Sequence, residues 1–111
     1  MGQTRSTRYS YFELVDRYDT EGKALIERGR VLDISESGIL YKGDAALSVG
    51  ERYKFKFDVG GDYFFVDGVV ARTSKHPVDK KPLAGVKLSL TDLQKEKLIV
   101  NLKRLKIKPV P

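Results

Sequence analysis

The sequence reads as a mainly β domain: six antiparallel strands closed into a small barrel, followed by one C-terminal helix. Three observations predict it. Tyr53, Phe55, Phe57 and Val59 alternate with Lys54, Lys56 and Asp58, a period of two that gives a strand one dry face and one wet face. Turn-forming stretches at 19–22, 36–38 and 60–62 separate short runs rich in aromatic and branched residues. Near the end the period changes, with Leu98, Leu102 and Leu105 at the i, i+4, i+7 spacing of one helical face. Short strands with frequent turns close most economically into a barrel, because closure removes exposed edges.

Taken in order, residues 1–7 are small and polar without periodicity and are expected to form a flexible arm. A first strand is expected over 8–15, from Tyr9, Tyr11, Phe12, Leu14 and Val15. After the turn at 19–22, residues 23–34 read as a second strand with a bulge at Gly29. Residues 39–41 form a short third strand, and the alternating run 53–59 a fourth. Gly60-Gly61-Asp62 supplies a hairpin turn. A fifth strand over 63–72 bends at Gly68, 74–82 is a polar loop holding His76, and 83–88 is the sixth strand. Thr91 and Gln94 have the spacing of a capping box, which predicts a helix over about 91–105. The expected domain thus spans 8–106, with 107–111 a tail.

A chain of 111 residues is long enough for one modest core and too short for two. Without cysteine it has neither disulfides nor thiolate metal sites, and one histidine leaves most transition-metal constellations unfilled. No apolar run approaches the roughly 20 residues that cross a bilayer, and the first residues lack the apolar centre of a signal peptide. A cytoplasmic protein with no membrane insertion is expected. The net charge of +6 favours an anionic partner, and much of it sits near the end in Lys95, Lys97, Lys103, Arg104, Lys106 and Lys108. No nucleophile and base converge in the pattern, so the chain does not read as an enzyme and no catalytic or metal-ligating residue is assigned.

The chemistry concentrates in Asp33-Ile34-Ser35-Glu36-Ser37-Gly38, downstream of the closely spaced Arg5 and Arg8. Asp33 is an acceptor-only carboxylate, Ser35 both donates and accepts, and Gly38 lets backbone and ligand approach closely. An arginine forks onto a phosphate or a guanine edge and stacks on a base plane, which a lysine does not. Such parts suit an anionic ligand carrying phosphates and nucleobases. The plain alternative is a tight turn in which Asp33 and Ser35 bond backbone amides.

The order Arg5, Arg8, then residues 29–39 containing Asp33, Ser35 and Gly38, resembles the PilZ domain, whose signature is an N-terminal RxxxR followed by [D/N]xSxxG. Val49-Gly50-Glu51 before the alternating strand, Gly68-Val69-Val70-Ala71-Arg72, and Gly85-Val86-Lys87-Leu88 look like the middle and later strands of that family. The resemblance implies a PilZ-like split barrel and a receptor for the bacterial second messenger cyclic di-GMP, with no other cofactor. It implies that Arg5, Arg8, Asp33, Ser35 and Gly38 bind the ligand. Arg5 and Arg8 are spaced RxxR, one residue short of the family pattern, and Arg17, Arg28 and Arg30 are candidate supporting cations. An adaptor acting in trans is then expected, in which ligand clamps the arm and presents a new surface to an effector protein of the motility, pilus or polysaccharide machinery. Two alternatives stand beside it. One is a PilZ-like interaction module without nucleotide, motivated by the RxxR spacing. The other is a basic barrel binding single-stranded nucleic acid, motivated by the charge; no DNA partner is expected under the leading reading.

Overall fold

Apolar side chains repeating every second residue must turn inward together, and in the computed structural model, which describes residues 7–110, they do so by closing a sheet on itself. The strands are β1 (Tyr9–Tyr18), β2 (Leu25–Ile34), β3 (Gly38–Lys42), β4 (Arg52–Val59), β5 (Asp62–Lys75) and β6 (Pro82–Leu88). They form a closed antiparallel barrel in the order β1-β2-β3-β6-β5-β4, with β1 pairing back onto β4 through Val15↔Phe57 and Arg17↔Phe55. The mainly β barrel with a C-terminal helix is therefore the observed fold. Its interior holds Val15, Val31, Ile34, Tyr41, Phe55, Phe57, Val59, Phe64 and Val70, all essentially without solvent exposure. The β4–β5 hairpin closes on Gly60 and Gly61, whose φ values of 64° and 93° are the two positive dihedrals that a tight two-residue turn demands.

The strand bounds differ from expectation mainly in length. β1 runs on to Tyr18, and β5 continues through Lys75 into what reads as loop, because its outer half pairs with β6 as far as Lys75↔Pro82. Gly29 and Gly68, expected as bulge or bend, sit in regular register. They make room instead: a Cβ on Gly29 would lie 2.6 Å from the Tyr41 ring, and one on Gly68 would lie 2.8 Å from the Phe55 ring. The register slips fall elsewhere, two of them in the β1–β2 pairing, between Ser10 and Glu13 and between Arg17 and Tyr18. Val31 pairs with Tyr41 but Asp33 with Leu40, so Leu32 is the extra residue of β2. Val70 pairs with Val86 but Arg72 with Gly85, so Ala71 is the extra residue of β5. Each inserted residue reverses the inward–outward phase of the strand beyond it. Val31 and Ile34 are both buried, which turns Asp33 outward; Val70 is buried and Arg72 is exposed.

The helix α1 (Asp92–Arg104) begins at a complete capping box, with Thr91 and Gln94 each accepting from the other's backbone N–H. Leu98 and Leu102 are fully buried against the barrel. Leu105, expected on the same face, is 43% exposed at the C-cap, and Asn101 takes a buried place on that face instead. Asn101 Nδ2 donates to the Val59 carbonyl at 2.8 Å and to Asp62 Oδ2 at 2.7 Å, tying the helix to the β4–β5 turn. The chain then turns back through Lys106, with its N–H bonded to the Lys103 carbonyl and that of Ile107 to the Leu102 carbonyl, the double bond pattern of a Schellman end. Residues 107–110, expected as a tail, run back beside the start of β1. Ile107 packs on the core, Pro109 bridges to Tyr9, and the Val110 N–H donates to the Arg8 carbonyl at 2.6 Å.

Candidate ligand cleft

The bulge at Leu32 and the turn after β2 place the Asp33–Gly38 stretch at the rim of the barrel. There it borders, with the stretches of β5 and β6 around Arg72 and Gly85, a cleft of about 250 Å³. Arg8, Asp33, Ser35, Ser37 and Gly38 line it together with Arg72, Gly85 and Lys87. Three cations against one carboxylate make the cleft electropositive, as an anionic ligand requires.

Arg8 approaches from just before β1, its backbone pinned by Val110, and its guanidinium donates to Asp33 Oδ2 at 2.5 Å. That hydrogen bond and the carboxylate charge hold the Arg8 pKa above its ordinary value. The pair is unequal in exposure: the Arg8 side chain is 47% exposed and Asp33 14%. Arg8 can therefore swing to a new partner, whereas Asp33 is fixed in the wall. Ser35 is buried, and its Oγ accepts from the backbone N–H groups of Ser37 and Gly38 at 3.2 Å each. Its own N–H donates to the Gly38 carbonyl at 2.9 Å. The tight-turn reading is thus realised at Ser35, whose hydroxyl also shares a hydrogen bond with Ser37 Oγ at 3.0 Å. Gly38 likewise answers to the strand beside it: a Cβ there would lie 2.2 Å from the Val86 carbonyl oxygen of β6.

Of the sequence-predicted residues, Arg8, Asp33, Ser35 and Gly38 come together in this cleft. Arg5 lies outside the described residues. The supporting arginines are placed elsewhere. Arg28 pairs with Asp16 at 2.7 Å on the outer face of β1 and β2, and Arg30 opens onto a separate cleft beside Lys42 and Lys81. Arg17 points into the barrel, 3% exposed, with its guanidinium 4.4 Å from the centre of the Tyr53 ring and 3.5 Å from Glu27. Glu27 also accepts from Tyr41 Oη at 2.5 Å and from the backbone N–H groups of Asp44 and Ala45. Burial pulls the Glu27 carboxyl up, but these hydrogen bonds and the Arg17 charge outweigh it and leave its pKa below the usual value. This set is an internal brace that anchors the loop after β3.

Sequence reasoning missed Arg72 and Lys87. Both lie in segments matching the family's later strands, yet an unbulged β5 would turn Arg72 to the same side as Val70. Among the described residues no cluster of His, Cys, Asp or Glu could hold a metal ion, and no helix is long and apolar enough to cross a membrane.

The fold is that of solved PilZ structures. The inhibitor of motility MotI/DgrA of Bacillus subtilis superposes with a TM-score of 0.79 at 15% identity, over 96% of this chain and 52% of that one. The chain thus spans about half the length of the Bacillus protein. The PilZ domain of YcgR from Escherichia coli, solved with c-di-GMP, superposes at 0.72 and 17% identity over 95% of each chain. The PilZ domain of CeSA from a cellulose-synthesizing bacterium does so at 0.60 and 18%, over 89% of this chain and 97% of that one. By sequence, no curated protein matches the chain. The PilZ domain family model, however, matches residues 3–104, and with Arg8, Asp33, Ser35 and Gly38 gathered in one cleft, the chain belongs to the PilZ domain family.

Proposed function

We propose that this domain is a receptor and adaptor that binds cyclic di-GMP in the cleft at the barrel rim. The observation that carries the reading is the convergence of Arg8, Asp33, Ser35 and Gly38 around one electropositive cleft. The presence of c-di-GMP in the related E. coli YcgR structures supports it.

In this reading Arg8 leaves Asp33 and forks onto a ligand phosphate or a guanine edge. Asp33, fixed in the wall, accepts from the guanine N1–H and exocyclic amine. Ser35 holds the turn and its hydroxyl chain to Ser37 offers a polar edge, while Gly38 keeps the floor low. Arg5 supplies the second arginine. Drawing the arm over the ligand then changes the surface offered to an effector protein in trans, and the cytoplasm is where such a ligand and effector meet. No bond is made or broken, so the domain acts as a receptor and not an enzyme.

Calorimetric titration with cyclic di-GMP, using GTP as the control, tests this. Saturable binding of the cyclic dinucleotide alone is expected, abolished by Arg8→Ala and by Asp33→Ala in proteins that melt cooperatively. Normal binding by both variants would show that the cleft is not the site. The RxxR spacing of Arg5 and Arg8 favours a second reading, a nucleotide-free interaction module; a folded wild-type chain that binds neither nucleotide would select it. Single-stranded nucleic acid binding would instead show steep salt dependence and survive loss of Asp33.

A further inference from the structure

Arg72 has features that the family signature does not explain. The bulge at Ala71 turns it outward, opposite Gly85 on β6. A Cβ on Gly85 would lie 2.8 Å from Arg72 Cγ, 3.0 Å from Nε and 3.1 Å from Cζ. The side chain therefore lies across the bare Gly85 backbone, with the strand beneath it and the cleft beside it. Among the described residues it has no ion pair or side-chain hydrogen bond, unlike Arg8 with Asp33 and Arg28 with Asp16. A guanidinium held against a strand without a carboxylate partner keeps its planar face available for a flat, electron-rich ring.

We propose that Arg72, seated on Gly85, is the platform on which a purine base of the ligand stacks, in the cleft that Asp33 and Arg8 also line. The inference rests on the cyclic di-GMP reading and adds a residue that sets base recognition. Gly85 is a positioning residue, because any side chain there would lift Arg72 away from the strand.

The test compares wild type, Arg72→Ala, Arg72→Lys, Arg72→Tyr and Gly85→Ala by calorimetry with cyclic di-GMP, after thermal melting has shown each to be folded. Losing one base-stacking contact is expected to weaken binding on the order of tenfold for Arg72→Ala, and comparably for Arg72→Lys, which keeps charge but lacks the plane. Arg72→Tyr, which restores a plane without charge, should recover most of the affinity. Gly85→Ala should weaken binding with Arg72 still present. Wild-type affinity in Arg72→Ala or in Arg72→Lys overturns the platform, the latter by showing that charge alone suffices. Failure of Arg72→Tyr to recover affinity above Arg72→Ala also overturns it. A folded wild type that binds no cyclic di-GMP overturns the receptor reading and this inference with it, whereas a binding wild type beside unaffected Arg72 variants overturns this inference alone.

Discussion

Replacing Gly38 by alanine separates two reasons for a glycine in the signature turn: access for a ligand, or closeness of two strands. The ideal Cβ would stand 2.2 Å from the Val86 carbonyl oxygen and 3.2 Å from its carbon. Ordinary non-bonded contact needs about 3.5 Å, so β3 and β6 would have to part by roughly an ångström at this point. Backbone cannot swing aside as a flexible side chain can. The parting strains the Gly38↔Lys87 and Ile39↔Val86 pairs and the bond from the Leu88 N–H to the Ser37 carbonyl, now 2.9 Å. Weakening two such bonds at about 1 kcal/mol each, with about 1–2 kcal/mol of packing strain, predicts a loss of about 3–4 kcal/mol. For a chain of this size that lowers the melting midpoint by about 12–16 °C. Scanning calorimetry or thermal circular dichroism reads it directly. If Gly38→Ala melts within about 2 °C of wild type yet loses cyclic di-GMP, the glycine serves the ligand and the strand-contact argument fails.

Two further outcomes are expected from polar groups that brace the barrel. Asn101→Ala removes the buried donor that ties α1 to the Val59 carbonyl and to Asp62, so a loss of about 1–3 kcal/mol is expected by urea unfolding; an unchanged midpoint would mean the helix is held by Leu98 and Leu102 alone. Glu27 has a folded-state pKa below its unfolded value, so its contribution is fully present above the unfolded pKa, near 4.3, and is lost as pH falls through the folded one. Glu27→Gln should therefore be less stable than wild type at pH 7, with the gap closing as the pH is lowered below about 4; a gap independent of pH would deny the carboxylate its role in the brace.

Much of the barrel was legible because its cause is local. The alternation from Tyr53 to Val59, the glycine pair at the hairpin and the Thr91–Gln94 box each act over a few residues, and each is present in the fold. The glycines inside strands were misread for the opposite reason. Gly29 and Gly68 lie bare beneath Tyr41 and Phe55, rings that reach them only through strand pairing, while the slips that border the cleft fall at Leu32 and Ala71, which carry no turn chemistry of their own. Periodicity places Leu105 in the core, but the helix ends at Arg104 and the chain turns at Lys106, so Ile107 packs there instead.

The cleft divides the same way. The composition of its signature wall was set by consecutive residues, since Asp33, Ser35 and Gly38 share one turn whose hydrogen bonds are local. By itself the sequence determined that the chain is a small antiparallel barrel carrying an Asp–Ser–Gly turn suited to an anionic ligand. The tertiary structure alone decided which cations face that turn. Arg17, near in sequence to Arg8, is drawn inward by Glu27 and two tyrosine rings, whereas Arg72 is turned outward by one inserted alanine. The physical reason is that side-chain direction in a sheet has a period of two, so a single extra residue in a strand reverses every side chain beyond it.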